Sequence, residues 1–254
     1  MEPLYESHLR VNACDTDSTG RLRVSSMFNY IQNMASVHAE GLGVGIQKML
    51  NLNMFWVLSW VKLEFICMPR FGDELSAKTW PKCRHRLFSI RDFLFYDKNG
   101  ALFSKGTTAW LLVDLKTKKA KNPECLEARI PCLESMGALH CYPERFHSEH
   151  PGQPVFTRRI RYSDLDINRH VNNARYVEFL MDCYDVEHHR RHRVGSLAVS
   201  FVAEARCGDE IDVRLAENSD NGSSHFIEVR NMQSDEPVVQ SVIHWIPLRQ
   251  TESG

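Results

Sequence analysis

The sequence predicts an α+β protein in which a long helix and an antiparallel β-sheet occur twice in tandem. Three observations support this fold class: helical spacing of apolar residues in two places, two series of strand-like runs separated by turn signals, and a residue pattern shared by the two halves. At 254 residues and 43% apolar content, the chain can bury a core in each of two domains.

In each half the predicted order is a strand, a helix and then four strands. From Leu22 onward apolar residues recur at helical spacing, and "GLGVG" at residues 41–45 supplies a C-terminal stop. Apolar or alternating runs then predict four antiparallel strands, with the turn signals "RFGD" and "DKNG" between some of them. These runs are "MFWVLSWVKLEF", "ELSAKTW", "LFSIRDFLFY" and "ALFSKGTTAWLLVD".

A linker separates the two halves. Residues 116–154 hold five of the ten prolines and a lysine-rich start, "KTKKAK". We therefore expect an N-terminal domain at residues 1–120, a linker at 121–154 and a C-terminal domain at 155–254. The second half begins with the strand "VFTRRIRYS" and a helix marked by Val177, Leu180, Met181 and Tyr184. Four more predicted strands follow: "SLAVSFVAEA", "EIDVRLAE", "SHFIEVRN" and "VVQSVIHWIPL".

The two halves align as a duplication. "DTD" at residues 15–17 and "DLD" at residues 164–166 are 149 positions apart, and "FGDEL" and "CGDEI" are 136 apart. The last strands align at Trp110 and Trp245. Several matches in one order along the chain indicate an internal repeat.

The copies differ at three polar positions. The second copy has Asn168, His170 and Glu204 where the first has Thr19, Arg21 and Met68. A structural role common to both copies would not need that difference, whereas a single active site would. Taken singly, His170 could be an ordinary loop histidine and Glu204 a surface charge in an alternating strand. The paired aspartates occur in both copies, so at least one is expected to be a loop or helix-entry residue.

These residue types suit acyl transfer to water. The start of the helix after "HVNN" offers free backbone N–H groups to an oxyanion, with Asn172 or Asn173 as the cap. Glutamate or histidine can act as a base, and asparagine can orient water or a carbonyl. This chemistry needs no metal and no cofactor. Cys207 is expected on the strand face opposite Glu204, which disfavours a thiol nucleophile.

Composition disfavours several other classes. The net charge is −1 with 25% charged residues, which indicates neither nucleic-acid nor membrane binding. No apolar run is long enough for a membrane span and no signal peptide is evident, so we expect a cytoplasmic protein with free thiols. The eight cysteines form no C-x-x-C pair, and the chain has neither a G-x-S-x-G elbow nor a P-loop. "EHHRRHR" at residues 187–193 is interpreted as a solvated helix end rather than a metal site.

The motif "DINRHVNNARY" at residues 166–176, with a long helix and an antiparallel sheet present twice, resembles the acyl-ACP thioesterases, which have two tandem hotdog domains. The resemblance extends from "RVNACDTDSTGRL" to "IHWIPL". It implies that Asp166, Asn168, His170 and Glu204 are the catalytic residues. Plant members have a cysteine directly after this glutamate, where Ala205 stands here.

The resemblance implies hydrolysis of fatty acyl-ACP to free fatty acid, which terminates chain elongation in fatty acid biosynthesis. In the mechanism we favour, Glu204 activates water, His170 and Asn168 position the reactants, Asp166 orients the loop, and a backbone N–H at the helix start holds the oxyanion. Direct carboxylate attack through an anhydride is the alternative. Rival functions are an acyl-CoA thioesterase, another hotdog enzyme such as a dehydratase, and a non-catalytic acyl-binding protein.

The resemblance also implies where substrate binds. The N-terminal hotdog shapes the acyl pocket in that family, and alternation along "MFWVLSW" would turn one strand face toward it. The expected substrate-binding residues are Met54, Trp56, Leu58 and Trp60 in the first copy and Asn172, Asn173 and Tyr176 in the second.

Acyl carrier protein is the expected partner, and a homodimer is a further expectation. Because the carrier is acidic, a basic docking surface is expected. Its candidates are "RRIR" at residues 158–161 with Arg169 and Arg175, and "RHR" at residues 84–86.

Overall fold

The structure, a computed structural model, describes residues 2–126, 130–146, 148, 152–217 and 223–248. The chain forms two compact units: Met1–Cys14 with Asn29–Pro143, and Asp15–Phe28 with Glu144–Gly254. The stretch Asp15–Phe28 therefore groups with the second half of the chain, although it precedes most of the first unit in sequence. The domain bounds at residues 120 and 155 stay a prediction.

The first copy of the repeat is an antiparallel sheet with a long helix. Its elements are β1 (Tyr5–Arg10), α1 (Val24–Gly41), α2 (Ile46–Asn51), β2 (Met54–Phe65), β3 (Glu74–His85), β4 (Phe88–Asp97), β5 (Leu102–Asp114) and β6 (Ala120–Lys121), with single-turn 3₁₀ helices at Ala13–Asp15 and Pro123–Cys125. The strands pair in the order β1-β3-β4-β5-β2, and the short strand β6 pairs with β5.

The second copy repeats this topology. Its elements are β7 (Gln153–Arg159), a 3₁₀ helix (Tyr162–Asp164), α3 (Asn173–Met181), α4 (Val186–Arg191), β8 (His192–Phe201), β9 (Glu210–Glu217), β10 (Ser224–Asn231) and β11 (Pro237–Pro247). The strands pair in the order β7-β9-β10-β11-β8, which matches the first copy strand for strand, as the residue repeat predicts.

The helices form because one face of each is apolar. Ile31 and Met34 of α1, and Val177 and Leu180 of α3, are at most 1% exposed. Burial of each such side chain contributes about 1.5–3 kcal/mol, so the apolar stripe fixes the face that each helix turns inward. The helix predicted to reach Tyr184 ends at Met181 instead. None of the helices in the described ranges has both the length and the apolar character needed to cross a membrane.

The strand predictions are confirmed in position, with one consequential exception. The run "SLAVSFVAEA" predicted a strand to Ala205, but β8 ends at Phe201. There the backbone N–H groups of Val202 and Ala203 both donate to the carbonyl of Val238, at 2.8 and 3.2 Å, and regular pairing stops. Glu204 therefore lies in the β8–β9 loop, and its predicted strand position is wrong. The repeat predicted a strand before the first helix without giving its residues, and β1 is that strand, whereas helix α2 was not predicted.

Residues 136–138 of the predicted linker pack on the first unit. Trp80 Nε1 donates to the Met136 carbonyl at 2.8 Å, and the Ala138 N–H donates to the Asp92 carboxylate at 2.7 Å. Asp92 is fully buried and also meets Lys82 Nζ at 3.4 Å. This stretch is therefore fixed against strands β3 and β4 by buried polar contacts.

A histidine-rich cluster surrounds α4 in the second unit. The His188 ring stacks on His192 at 4.3 Å between centroids and meets Trp245 edge-on at 4.5 Å. Burial, with help from the neighbouring His192, His189 and His225, lowers the pKa of His188 to about 4 from its ordinary 6.5. The ring is thus neutral in the folded protein over a range in which it is protonated in the unfolded chain.

We expect the His188→Phe variant to have a flatter dependence of Tm on pH. Between pH 6.5 and about 4 the unfolded chain binds more protons at residue 188 than the folded chain, so stability falls as the pH is lowered through this window. Phenylalanine keeps the ring contacts and removes the titration. Thermal unfolding across that range measures the slope, with His8→Phe at an exposed histidine as the control. Equal slopes in the wild type and the His188 variant would contradict this account.

Candidate active site

The motif residues lie on a short closed loop between the 3₁₀ helix Tyr162–Asp164 and helix α3. The Asn172 N–H donates to the Asp164 carbonyl at 2.9 Å, and Leu165 and Val171 form an isolated β-bridge. These contacts close the loop at its base. Asp166, Asn168 and His170 are therefore carried on one compact turn.

The Asp166 carboxylate holds this turn together. Its Oδ1 accepts the backbone N–H groups of Asn168 at 2.8 Å and His170 at 3.3 Å, and its Oδ2 accepts Asn168 Nδ2 at 3.3 Å. Arg169 takes a left-handed conformation with φ of 65° to complete the turn. Asp166 thus has the contacts of a loop-orienting residue.

His170 and Glu204 meet across two loops. His170 Nε2 lies 3.1 Å from Glu204 Oε2, and the two side chains are 22% and 45% exposed. In this contact an Nε2–H can donate to the carboxylate, which fixes the position of each side chain relative to the other. The structure therefore brings together the two residues predicted as base and partner, within reach of solvent water.

The Glu204 loop is attached to helix α3 through the next residue. The Val171 N–H donates to the Ala205 carbonyl at 3.2 Å, and the Ala205 N–H donates to the Tyr176 hydroxyl at 3.2 Å. Tyr176 is buried, and burial raises its pKa well above the ordinary value. The Tyr176 hydroxyl thus supports the loop that carries Glu204, and its predicted role in substrate binding stays a prediction. This contact joins residues 29 positions apart, so no local signal could have shown it.

Asn172 caps helix α3. Its side chain accepts the Ala174 N–H at 2.8 Å, while the N–H groups of Arg175 and Tyr176 bond to its carbonyl at 2.9 and 3.3 Å. Asn173 is the first residue of the helix. The predicted cap is therefore confirmed at Asn172, and these three N–H groups already have acceptors. An oxyanion held at the helix start would have to compete for them.

The first copy has the same loop with different side chains. Asp17 Oδ1 accepts the N–H groups of Thr19 at 2.7 Å and Arg21 at 3.2 Å, and Gly20 takes the left-handed position with φ of 75°. Thr16 and Leu22 form the matching β-bridge. The loop is therefore a feature of the repeat, while the Asn, His and Glu side chains are confined to the second copy.

Cys207 is exposed in the β8–β9 loop, so the strand-face argument used to set it apart from Glu204 is wrong. It lines an open groove of about 600 Å³ together with Arg159, Ile160, Arg161, Tyr162, Ser163 and Gly208. That Cys207 is not the nucleophile stays a prediction. Across the described ranges, histidine, cysteine and acidic side chains form no group of three suited to holding a metal.

The residues predicted for the acyl pocket divide between two strand faces. Met54 is buried in an apolar cluster with Leu42, Val44 and Met49, and Trp56 packs against it and donates to the Val44 carbonyl at 3.0 Å. A register shift between Leu58 and Trp60 interrupts the expected alternation.

Trp60 is consequently out of phase with Met54, Trp56 and Leu58. It pairs with Ala109, two residues from Thr107, whose hydroxyl binds Asp92 at 2.6 Å. Asp92 also accepts the N–H of Ala138, so this face carries the docked linker. The inference that one face of "MFWVLSW" carries all four residues is therefore wrong for Trp60.

Two family models match the chain. The acyl-ACP thioesterase N-terminal domain matches residues 2–124, and the acyl-ACP thioesterase C-terminal domain matches residues 153–247. Among curated proteins, the chloroplastic oleoyl-acyl carrier protein thioesterase 1 of Arabidopsis thaliana is 22% identical over 87% of this chain and 66% of its own length. The chain spans 58% to 66% of the length of the first curated relatives that it matches.

Solved structures are similar over nearly the whole chain. An acyl-ACP thioesterase from Bacteroides thetaiotaomicron is 29% identical with a TM-score of 0.88, covering 96% of this chain and 98% of that one. The 12:0-ACP thioesterase from Umbellularia californica is 18% identical with a TM-score of 0.77, covering 98% and 99%, which is a likeness of fold. The predicted fold class, two tandem hotdog domains, is confirmed.

Proposed function

Because the chain belongs to the acyl-ACP thioesterase family, we propose that it hydrolyses fatty acyl thioesters of acyl carrier protein, releases free fatty acid and so ends chain elongation. The observation that carries this proposal is the 3.1 Å contact between His170 and Glu204. This contact pairs a base with a hydrogen-bond partner in the second copy, and His170 is carried on a loop whose shape the two copies share.

In the proposed mechanism, Glu204 takes a proton from water as the water oxygen attacks the thioester carbonyl. The His170 Nε2–H orients the carboxylate, and the exposed amide of Asn168 is available to hold the carbonyl or the water. The tetrahedral intermediate collapses with cleavage of the C–S bond, and the proton held by Glu204 passes to the departing thiolate. Asp166 keeps the turn in shape and does not touch the reacting atoms.

The function is tested with matched acyl-ACP and acyl-CoA substrates over a range of chain lengths. Faster hydrolysis of acyl-ACP supports the proposal. Hydrolysis of acyl-CoA alone would identify acyl-CoA as the substrate. If the protein hydrolysed neither substrate, a non-catalytic acyl-binding function would be favoured. The cytoplasmic location and the homodimer expected from the sequence stay predictions.

Glu204→Ala and His170→Ala should each abolish most hydrolysis while the protein stays folded. Removal of a general base or its positioning partner lowers rates by about 10²–10⁴-fold. Initial rates with acyl-ACP, and circular dichroism as the folding check, measure this. The controls are Met68→Ala at the position equivalent to Glu204, Thr19→Ala on the matching loop of the first copy, and Cys207→Ser, all of which should retain activity. Wild-type rates in the Glu204 and His170 variants would remove the site assignment.

We propose that the apolar cluster around Met54 in the first unit sets the acyl-length preference. Met54→Phe and Leu58→Phe should shift the products toward shorter acids, and Met54→Ala toward longer ones, without loss of catalysis. Trp60→Phe is the comparison, because Trp60 is out of phase with Met54 and Leu58, and we expect a smaller shift. Chromatographic product profiles measure the effect. A preference that moves only with substitutions in the second copy would contradict this assignment.

We also propose that Arg159 and Arg161 receive acyl carrier protein. Both side chains are exposed and line the open groove that also contains Cys207. The residues that line this groove include no acidic side chain. Arg158 and Arg175 bind Asp164 instead, and Arg84 of the other basic cluster lies 3.4 Å from Glu124. An acidic partner would therefore meet exposed basic side chains in the second unit.

The double variant Arg159→Glu, Arg161→Glu should raise KM for acyl-ACP about tenfold at low salt and leave kcat nearly unchanged, because rim charges act mainly on association. Hydrolysis of an acyl-N-acetylcysteamine thioester, which has no carrier protein, should not change. The Arg84→Glu, Arg86→Glu double variant tests the other basic cluster. If that variant alone raises KM, the docking surface is in the first unit.

A further inference from the structure

A buried carboxylate outside the predicted catalytic set lies directly before the candidate loop. Asp164 is 0% exposed, and it is the last residue of the 3₁₀ helix from which the loop begins. A buried charge without partners costs several kcal/mol, so its contacts decide its role. Nothing in the neighbouring sequence distinguishes this aspartate from an ordinary cap or turn residue.

Two arginines and a backbone amide bind this carboxylate. Arg158 Nη2 lies 2.9 and 2.8 Å from its two oxygens, Arg175 Nε and Nη2 lie 3.3 and 3.1 Å from Oδ1, and the Arg161 N–H lies 2.8 Å from Oδ2. Burial by itself would raise the pKa of Asp164, but these donors together hold it below the ordinary value. Asp164 is therefore ionised and fully engaged.

The arginines connect the loop to two different elements. Arg158 belongs to β7, where its guanidinium also lies 4.1 Å from the centre of the Phe179 ring. Arg175 belongs to α3, where it also bonds to Glu178. Asp164 thus joins a strand, the loop entrance and the helix. Arg158 Nε is buried with no hydrogen-bond partner among the described residues. This unpaired donor is unfavourable, and it accompanies the placement of the guanidinium on Asp164.

The first copy provides an internal comparison. The positions aligned with Arg158 and Arg175 are Leu9 and Ser26, so the first copy has no guanidinium at either place. The first-copy loop nevertheless has the same bridge and the same aspartate turn. The loop therefore folds without the two arginines, and the arginines occur in the copy that has His170 and Glu204.

We propose that Arg158, Asp164 and Arg175 form a clasp that positions the His170–Glu204 pair for the reaction proposed above, on which this inference rests. The clasp fixes the loop entrance two residues before Asp166, and Asp166 holds the His170 N–H. The Asp164 carbonyl also binds the Asn172 N–H at the other end of the loop. Displacement of a catalytic group by about 1 Å can lower a rate by about 10²-fold, so a loop that serves catalysis needs a firmer hold than one that does not.

The clasp is tested with Asp164→Asn, Arg158→Met and Arg175→Met, assayed well below the melting temperature of each variant. We expect kcat for acyl-ACP to fall at least about tenfold while KM stays within about twofold, because the substrate-binding surface is untouched. Arg158→Lys and Arg175→Lys keep the charge and should recover part of the rate. The matched control is Arg214→Met, which breaks a 2.6 Å contact with the buried Asp212 in the same unit and should leave kcat unchanged.

A spectroscopic measurement separates positioning from stability. The ring NMR signals of His170, assigned with His170→Asn, should shift in the clasp variants toward those of Glu204→Gln, in which the contact with a carboxylate is lost. Clasp variants that are less stable but keep the wild-type kcat and the wild-type His170 signals would overturn the proposal. Absence of thioester hydrolysis in the wild type would instead count against the proposed function, and the NMR comparison would still test the clasp.

Discussion

Both copies of the repeat depend on one carboxylate at the turn that leads from a strand into a helix. The chain must reverse there, and the reversal leaves backbone N–H groups without helix or sheet partners. A single oxygen of Asp17 or Asp166 accepts two of them in each copy, at 2.7 to 3.3 Å. Because the next residues form the start of the helix, this turn sets where the helix begins over the sheet.

This arrangement separates the fold from the chemistry. The bonds that hold the turn come from backbone groups, so the side chains two and four residues after the aspartate can change without changing its shape. Arg21 occupies the position of His170 and donates to the His189 carbonyl at 3.3 Å, an ordinary structural contact. A duplicated domain can thus keep its topology while one copy has a polar set that the other does not.

Elements with a periodic residue pattern were predicted correctly from the sequence. Features that depend on contacts between residues far apart in the chain were not. The helical spacing of α1 and the alternation of β2, β9 and β10 gave correct element types, because burial of one face repeats at a fixed period. The end of β8 was missed because alternation continues past the point where Val202 and Ala203 both turn to one carbonyl. The bulge before Trp60 leaves no compositional mark, so the phase of that strand could not be predicted.

The candidate site shows the same division. The comparison of the two copies identified Asn168, His170 and Glu204 because a difference between repeats can be seen in one sequence. It identified neither the Tyr176 contact with Ala205 nor the burial of Asp164, since both depend on partners brought together by the sheet. The arginines of the clasp do differ between the copies, so extending the comparison to Leu9 and Ser26 would have indicated them.

The loop that carries Glu204 also limits the chemistry of its neighbour. Ala205 is 0% exposed, and both of its backbone groups are bonded, the carbonyl to the Val171 N–H and the N–H to the Tyr176 hydroxyl. Turning residue 205 outward would break both hydrogen bonds, at about 1 kcal/mol each, and expose an apolar side chain. The backbone therefore holds residue 205 inward while residue 204 reaches His170. In the proposed reaction the side chain at position 205 therefore takes no part, because this position offers only a buried methyl group.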